Sequence, residues 1–425
     1  MKMESWYCHG IVFRRHDVNL SSKYNSVTRD VGVFHNALKA QRGRYVPMLH
    51  AILDNISHNM FKPLLLFFYA GFLIPLLKVE FEYPKALYQG LTIVLLLGIG
   101  WHGGEELSHL QTGSELAYAL GFMFVGFCTN TLIGVLAYMA LRMMTRLRKV
   151  DAATVAGYYG SDSAGTFVTC VGFLATLQVA YAPYMPVMLA LMEIPGCLVA
   201  LVLVSHLRQK GMNEEGSMPE EIAGRLALES ETIEIPAVDT SLMYEMNGNK
   251  SKPFIDGKLM HEVMLNPGTF LLFGGVGIGL ISGLQGERVT EQVDRLFNFE
   301  FQGLLCLFLL EMGITACRRI KDLKTAGINF IAFALIAPNL FAIMGLAIAA
   351  GYSQLTGYQM ELGTYLLFMV LCGSASYIAV PAVQRMAIPE ASPTLPLAAS
   401  LGITFTYNVT VGIPVYLELA KQVIS

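Results

Sequence analysis

Gly160-Ser161-Asp162-Ser163 lies in the middle of residues 152–180, an apolar run long enough to cross a bilayer yet rich in glycine, alanine, serine and threonine. Lipid hydrocarbon offers no partner to a polar group. A carboxylate and two hydroxyls at that depth therefore face protein, water or a solute. The pattern returns 213 positions later as Gly373-Ser374-Ala375-Ser376. Small, hydroxyl-rich interruptions at matching places in two halves are the mark of a transporter with internal repeats.

The composition agrees. Of 425 residues, 54% are hydrophobic and only 14% charged, and the mean hydropathy is +0.50. A soluble domain carries about 25% charged residues. The expected fold class is an all-α integral membrane protein, and no nucleic-acid partner is implied. The seven cysteines stand mostly inside apolar runs without metal-clip spacing, which reads as small buried hydrophobes. No nucleophile stands beside a base, and no phosphate loop occurs, so an enzyme is not expected and no cofactor is implied.

Ten apolar spans follow one another at 62–77, 86–104, 115–141, 152–180, 183–206, 266–284, 301–317, 325–352, 361–386 and 395–420. Four coarse domains result: 1–60, 61–206, 207–264 and 265–425. The halves align without a gap: Tyr88-Gln89-Gly90-Leu91 on Phe301-Gln302-Gly303-Leu304, Gly100 on Gly313, and Pro183 on Pro396, always at an offset of 213. This spacing predicts a duplicated five-helix unit. An odd number of helices turns the second copy over, giving ten transmembrane helices as two inverted five-helix repeats with broken helices at the centre.

Charge sets the expected orientation. Glu105-Glu106 closes the first copy's window, whereas Arg318-Arg319, Lys321 and Lys324 close the second. Basic short loops stay in the cytoplasm, so both termini face out and 207–264 lies inside. Arg385 is expected at the cytoplasmic interface. The 207–264 stretch holds eleven acids and six bases. It reads as a solvated linker or as a dock for a soluble regulator. Residues 1–60 carry eight Lys/Arg and no long apolar run. On the outside they would violate the charge rule, so they are read either as a real extension or as sequence upstream of a start at Met48 or Met60.

Spans four and nine hold the candidate site. Gly157, Gly160 and Gly165 in one, and Gly373 and Pro381 in the other, loosen the helix. A broken helix offers N–H groups to an anion and carbonyls to a hard cation. The competing reading is close helix packing by small residues. Asp162 is a candidate cation ligand, proton carrier or structural hydrogen-bonding group. Glu193, its repeat mate Thr406, and Asn408 are candidate sodium ligands or supports. Glu311 is expected to pair with Arg318 or a neighbour, and Trp101 and His102 to anchor at the membrane interface.

These residues resemble the sodium-dependent bicarbonate transporter family first known from cyanobacteria. The resemblance runs from about residue 61 to the C-terminus. It is carried by Val150-Asp151-Ala152, by Gly160 with Ser163 and Thr166, and by Glu193-Ile194-Pro195. It continues through Met312-Gly313, Ile336-Ala337-Pro338, Ser374 and Ser376, Ile388-Pro389, Pro393 and Gly412-Ile413-Pro414. It implies sodium-coupled import of bicarbonate across the cell (inner) membrane by alternating access. It also implies a homotrimer in the lipid bilayer, and an anion lined by Ser163, Thr166, Ser374 and Ser376 near Gly160 and Gly373. Gly165 stands where the family pattern has a second serine, Tyr377 where it has an aspartate, and Glu193 where it has an aspartate. These departures keep two alternatives open: a sodium- or proton-coupled transporter of another small anion such as a carboxylate, and a non-transporting membrane sensor or scaffold.

Overall fold

The computed structural model describes residues 61–108, 113–223, 267–320, 327–377, 380–381, 384 and 387–424. The segment 1–60, most of the 207–264 linker, Lys321, Lys324 and Arg385 lie outside the described residues. The described part is all-helical.

In order, the helices are α1 Pro63–Leu76, α2 Lys85–Ser108, α3 Gly113–Met144, α4 Lys149–Tyr159, α5 Ala164–Leu177 and α6 Met185–Gln209. They continue as α7 Pro267–Gly283, α8 Arg288–Ile320, α9 Ile328–Thr356, α10 Leu362–Cys372 and α11 Leu395–Val423. Six of them are long and apolar enough to cross a membrane: α2, α3, α6, α8, α9 and α11. The expected spans four and nine do not qualify, because each is cut in two. α4 ends at Tyr159 and α5 starts at Ala164; α10 ends at Cys372, and helix resumes by Val380.

Outward faces are apolar, as a lipid solvent requires. Leu116, Leu120, Phe124, Leu132, Val135, Met139 and Met143 are exposed along α3, and Ile328, Leu335, Ile336, Leu340 and Ile343 along α9. Their spacing of three, four and seven or eight traces a helical stripe. The broken helices are the opposite case. Every residue of α4 from Val150 to Tyr159 is buried, as is every residue of α10 from Gly363 to Cys372. Protein surrounds these two half-helices on all sides, which lets their ends carry irregular backbone at membrane depth.

Glycine sets the closest helix pairs. A side chain on Gly100 or Gly104 of α2 would run into the backbone of α7, and one on Gly275 or Gly279 of α7 into that of α2. Gly71 of α1 meets the Leu310 carbonyl of α8 in the same way, and Gly313 of α8 meets the Phe68 carbonyl of α1. Small residues at a four-residue spacing let backbones touch where lipid supplies no hydrophobic drive to associate. Deeper in, Phe122 of α3 packs on Phe368 of α10 with ring centroids 4.6 Å apart, and on Tyr352 of α9 at 5.2 Å.

Trp101 corrects an expectation. It is only 4% exposed, and its indole N–H donates to Asp294 Oδ1 at 3.0 Å. Its ring packs on Phe297 of α8, with centroids 6.0 Å apart, so α8 rather than lipid covers it, while its backbone meets Gly279 of α7. Glu311 pairs with a neighbour one turn on, accepting from the Thr315 hydroxyl at 2.8 Å. Cys170, Cys197, Cys306, Cys317 and Cys372 are buried and free, whereas Cys128 is exposed. Cys8 lies outside the described residues.

Candidate functional site

The two breaks lie across each other and exchange hydrogen bonds. Ser163 caps α5: its hydroxyl oxygen accepts from the Thr166 amide at 3.2 Å and from the Thr166 hydroxyl at 2.9 Å. The Ser163 amide donates to Ser374 Oγ at 3.0 Å, and the Ser374 hydroxyl donates to the Leu371 carbonyl at 3.2 Å. The Ser376 amide returns the bond, donating to the Tyr158 carbonyl at 2.8 Å. Interrupted helices expose amides and carbonyls that lipid cannot satisfy. Here part of that demand is met by the opposite break.

The glycines at the start of each break let this happen. A β-carbon on Gly160 would sit 2.8 Å from the Gly134 Cα and 3.0 Å from the Gly196 Cα. One on Gly373 would sit 2.8 Å from the Pro338 carbonyl oxygen and 3.0 Å from the Ala342 β-carbon.

Asp162 is fully buried, and neither carboxylate oxygen has a hydrogen-bond partner. The carboxylate of Glu193 and the thiol of Cys372 lie within electrostatic reach of it. An ionised carboxylate in such a place carries a desolvation cost of several kcal/mol unless something compensates it. A proton or a small cation is what this geometry can accept.

The ion-coupling candidates divide. Glu193 interrupts α6, and its backbone carbonyl accepts from the Ser161 hydroxyl at 2.7 Å. Asn408 is fully buried; its amide donates to the Gly373 carbonyl at 2.8 Å, and its oxygen accepts from the Tyr416 hydroxyl at 3.0 Å. Both residues therefore hold a break in place. Thr406 is not brought to the breaks by its side chain, which reaches the Leu401 carbonyl at 3.4 Å. It lies between two π-helical stretches, Ala398–Phe405 and Asn408–Gly412. Wide turns of this kind often occur at functional sites.

Asn130 and Gln384 escaped the sequence reading, and Thr404 joins them beside the breaks. Asn130 of α3 donates to the Met192 carbonyl at 2.8 Å, across the interruption in α6. Thr404 donates to the Ala334 carbonyl at 2.9 Å and pairs with the Tyr159 hydroxyl at 2.7 Å. Gln384 donates to the Thr154 carbonyl at 3.2 Å. Gln384, Thr154 and Tyr158 line a pocket of about 210 Å³ together with Ile388, Pro389, Ser392 and Pro396. Tyr158, on its wall, is the residue whose carbonyl takes the Ser376 amide.

A charged rim surrounds this end. Arg148 forks onto Asp151 at 2.7 and 3.0 Å, and Asp151 also accepts from the Ser392 amide at 2.8 Å. Arg208 forks onto Glu390 at 3.0 and 2.9 Å. The start of the linker folds back here. Glu221 accepts from the Lys149 amide at 2.8 Å, and Glu220 pairs with the Lys149 ammonium. That ammonium holds the Glu220 carboxyl below its usual range.

Over residues 63–421 the sequence matches the family described as the Na+-dependent bicarbonate transporter superfamily. The chain belongs to this family. No curated protein matches it. Membership makes it a multi-pass membrane protein of a transporter family rather than an enzyme, and sodium and bicarbonate are the solutes in the family's description.

Proposed function

We propose that this protein is a sodium-coupled importer of bicarbonate working by alternating access. The reading rests above all on one observation: two broken helices cross, bond to each other through Ser163, Ser374 and Ser376, and leave the buried Asp162 carboxylate without a partner. The anion would be held at the first turn of α5 by Ser163 and Thr166 with Ser374 and Ser376 opposite, near Gly160 and Gly373. Amides at a helix start and hydroxyls suit a small oxyanion. Sodium, a co-transported solute, would sit by Asp162 and the carbonyls of the interrupted helices, with Glu193 and Asn408 nearby and Thr406 set back in α11. Its single charge would offset the carboxylate, and the start of α5 would meet the charge of the anion.

The ten spans would form two inverted five-helix repeats, 61–206 and 265–425. Supporting this, α1 packs on α8 as α7 packs on α2, Gly160 rests on α3 as Gly373 rests on α9, and Ser161 ties its break to α6 as Asn408 ties the other break to α11. With the positive-inside assignment, the rim and the 207–264 linker face the cytoplasm and the termini face out. The pocket beside Tyr158 then opens inward. Assembly as a homotrimer, and a soluble regulator on the linker, extend the family resemblance.

The test is uptake of labelled bicarbonate into proteoliposomes with and without an imposed sodium gradient. Uptake that needs sodium, and falls in Ser163→Ala and Ser376→Ala, supports the reading; folded protein with no uptake overturns it. A second reading, another small anion such as a carboxylate, is favoured by the neutral Gly165 and Tyr377 at the breaks. Uptake or thermal stabilisation by formate or acetate in place of bicarbonate would establish it.

A further inference from the structure

Tyr377 follows Ser376 at the second break. It is 8% exposed, and its hydroxyl lies near the Ser163 side chain without making a hydrogen bond of good geometry to any group of the chain. The ring is fixed edge-on against Phe405, with centroids 5.3 Å apart, and Phe405 rests in turn on Phe68. The hydroxyl points at the first turn of α5, beside Ser163. A β-carbon built on Gly165 would collide with that oxygen and would also lie 3.0 Å from the Tyr377 Cζ. Glycine at 165 is therefore what admits the phenol. Two changes far apart in sequence form one contact.

Buried hydroxyls are nearly always paired, because an unpaired one forfeits its bonds to water. Here the unpaired O–H stands at a helix start whose early amides lack intrahelical acceptors. Donors converging on one spot from a phenol and a helix N-terminus suit an oxyanion.

We propose that Tyr377 determines anion specificity: its hydroxyl, admitted by Gly165, donates a hydrogen bond to one oxygen of a small trigonal oxyanion held at the first turn of α5. The inference rests on the transport reading above and names a contact that reading does not contain.

The experiment measures sodium-driven uptake of labelled bicarbonate in proteoliposomes for wild type, Tyr377→Phe, Gly165→Ala and the double variant. Tyr377→Phe keeps the ring and removes only the donor. Losing a hydrogen bond to a charged group raises the KM for bicarbonate by about tenfold or more, with the maximal rate and the sodium midpoint unchanged. Gly165→Ala abolishes uptake, because its methyl group displaces the phenol. The double variant recovers to the level of Tyr377→Phe, because removing the oxygen makes room. A wild-type KM in Tyr377→Phe overturns the proposal, as does a parallel shift of the bicarbonate and sodium midpoints, which a merely structural role would give. If wild type takes up no bicarbonate, the transport reading fails separately. Thermal shift with formate and acetate on the same proteins then decides: stabilisation by formate that Tyr377→Phe loses supports the contact, and its absence overturns it.

Discussion

Gly160–Ser163 and Gly373–Ser376 differ at one position that matters. Asp162 in the first break corresponds, 213 residues on, to Ala375 in the second. Around that position the two are alike. Each opens on a glycine pressed against neighbouring backbone, and each donates one amide to the other broken helix, Ser163 to Ser374 and Ser376 to the Tyr158 carbonyl near the end of α4. Each is tied to an irregular helix by one buried hydrogen bond, from Ser161 to the Glu193 carbonyl and from Asn408 to the Gly373 carbonyl. The comparison separates two jobs. Matching parts hold the breaks open and in register. The unmatched carboxylate is the one acidic side chain within either four-residue break, and the proposed transport reading assigns coupling to it, in one half of a doubled frame.

The sharpest way to break this division is Asp162→Asn. Uptake should lose its sodium dependence entirely, and Ala375→Asp added to that variant should not restore it. Sodium activation that survives in Asp162→Asn would place coupling elsewhere. Next come the glycines. Gly160→Ala and Gly373→Ala should each destabilise by about 1–3 kcal/mol, since backbone atoms within about 3 Å cannot yield cheaply. Thermal unfolding in detergent reads this, and one harmless variant would show that the breaks are packed differently after all. Ser163→Ala should cost about 1 kcal/mol as a lost helix cap. Ser374→Ala should cost a similar amount, because it strands the Ser163 amide.

The smallest effect serves as a control outside both breaks. Lys149→Ala removes the partner that holds the Glu220 carboxyl low. A depressed carboxyl contributes stability above its unfolded pKa and loses it as pH falls through the folded value. The variant's deficit should therefore be full at neutral pH, amount to a few tenths of a kcal/mol, and fade below about pH 4. Uptake should not change.

The sequence made the breaks legible because polar and small residues are conspicuous in an apolar run, and the shared offset tied them together. The bilayer enforces that signal: a serine or aspartate at depth needs a partner. What stayed hidden is whatever depends on contact between distant residues. Trp101 reads as an interfacial anchor until Asp294 and Phe297 of α8 cover its ring. Thr406 reads as a ligand by register, yet the π-helical turns of α11 send its hydroxyl to Leu401, and nothing in an evenly apolar stretch announces a change of turn width. Gly165 and Tyr377 read as two separate departures, because their single contact spans more than two hundred residues of chain.

The reciprocal amide bonds between the breaks also bear on how the chain is made. Ser163 finds its acceptor on Ser374, and Tyr158 receives its donor from Ser376. Ribosomes deliver the first half of the chain to the membrane well before the second exists. Until 374–376 arrives, the α4–α5 junction must wait with open backbone groups, sheltered by water or by the insertion machinery. Synthesised alone, 61–206 should remain an unfinished bundle prone to degradation, and co-expression with 265–425 should rescue it.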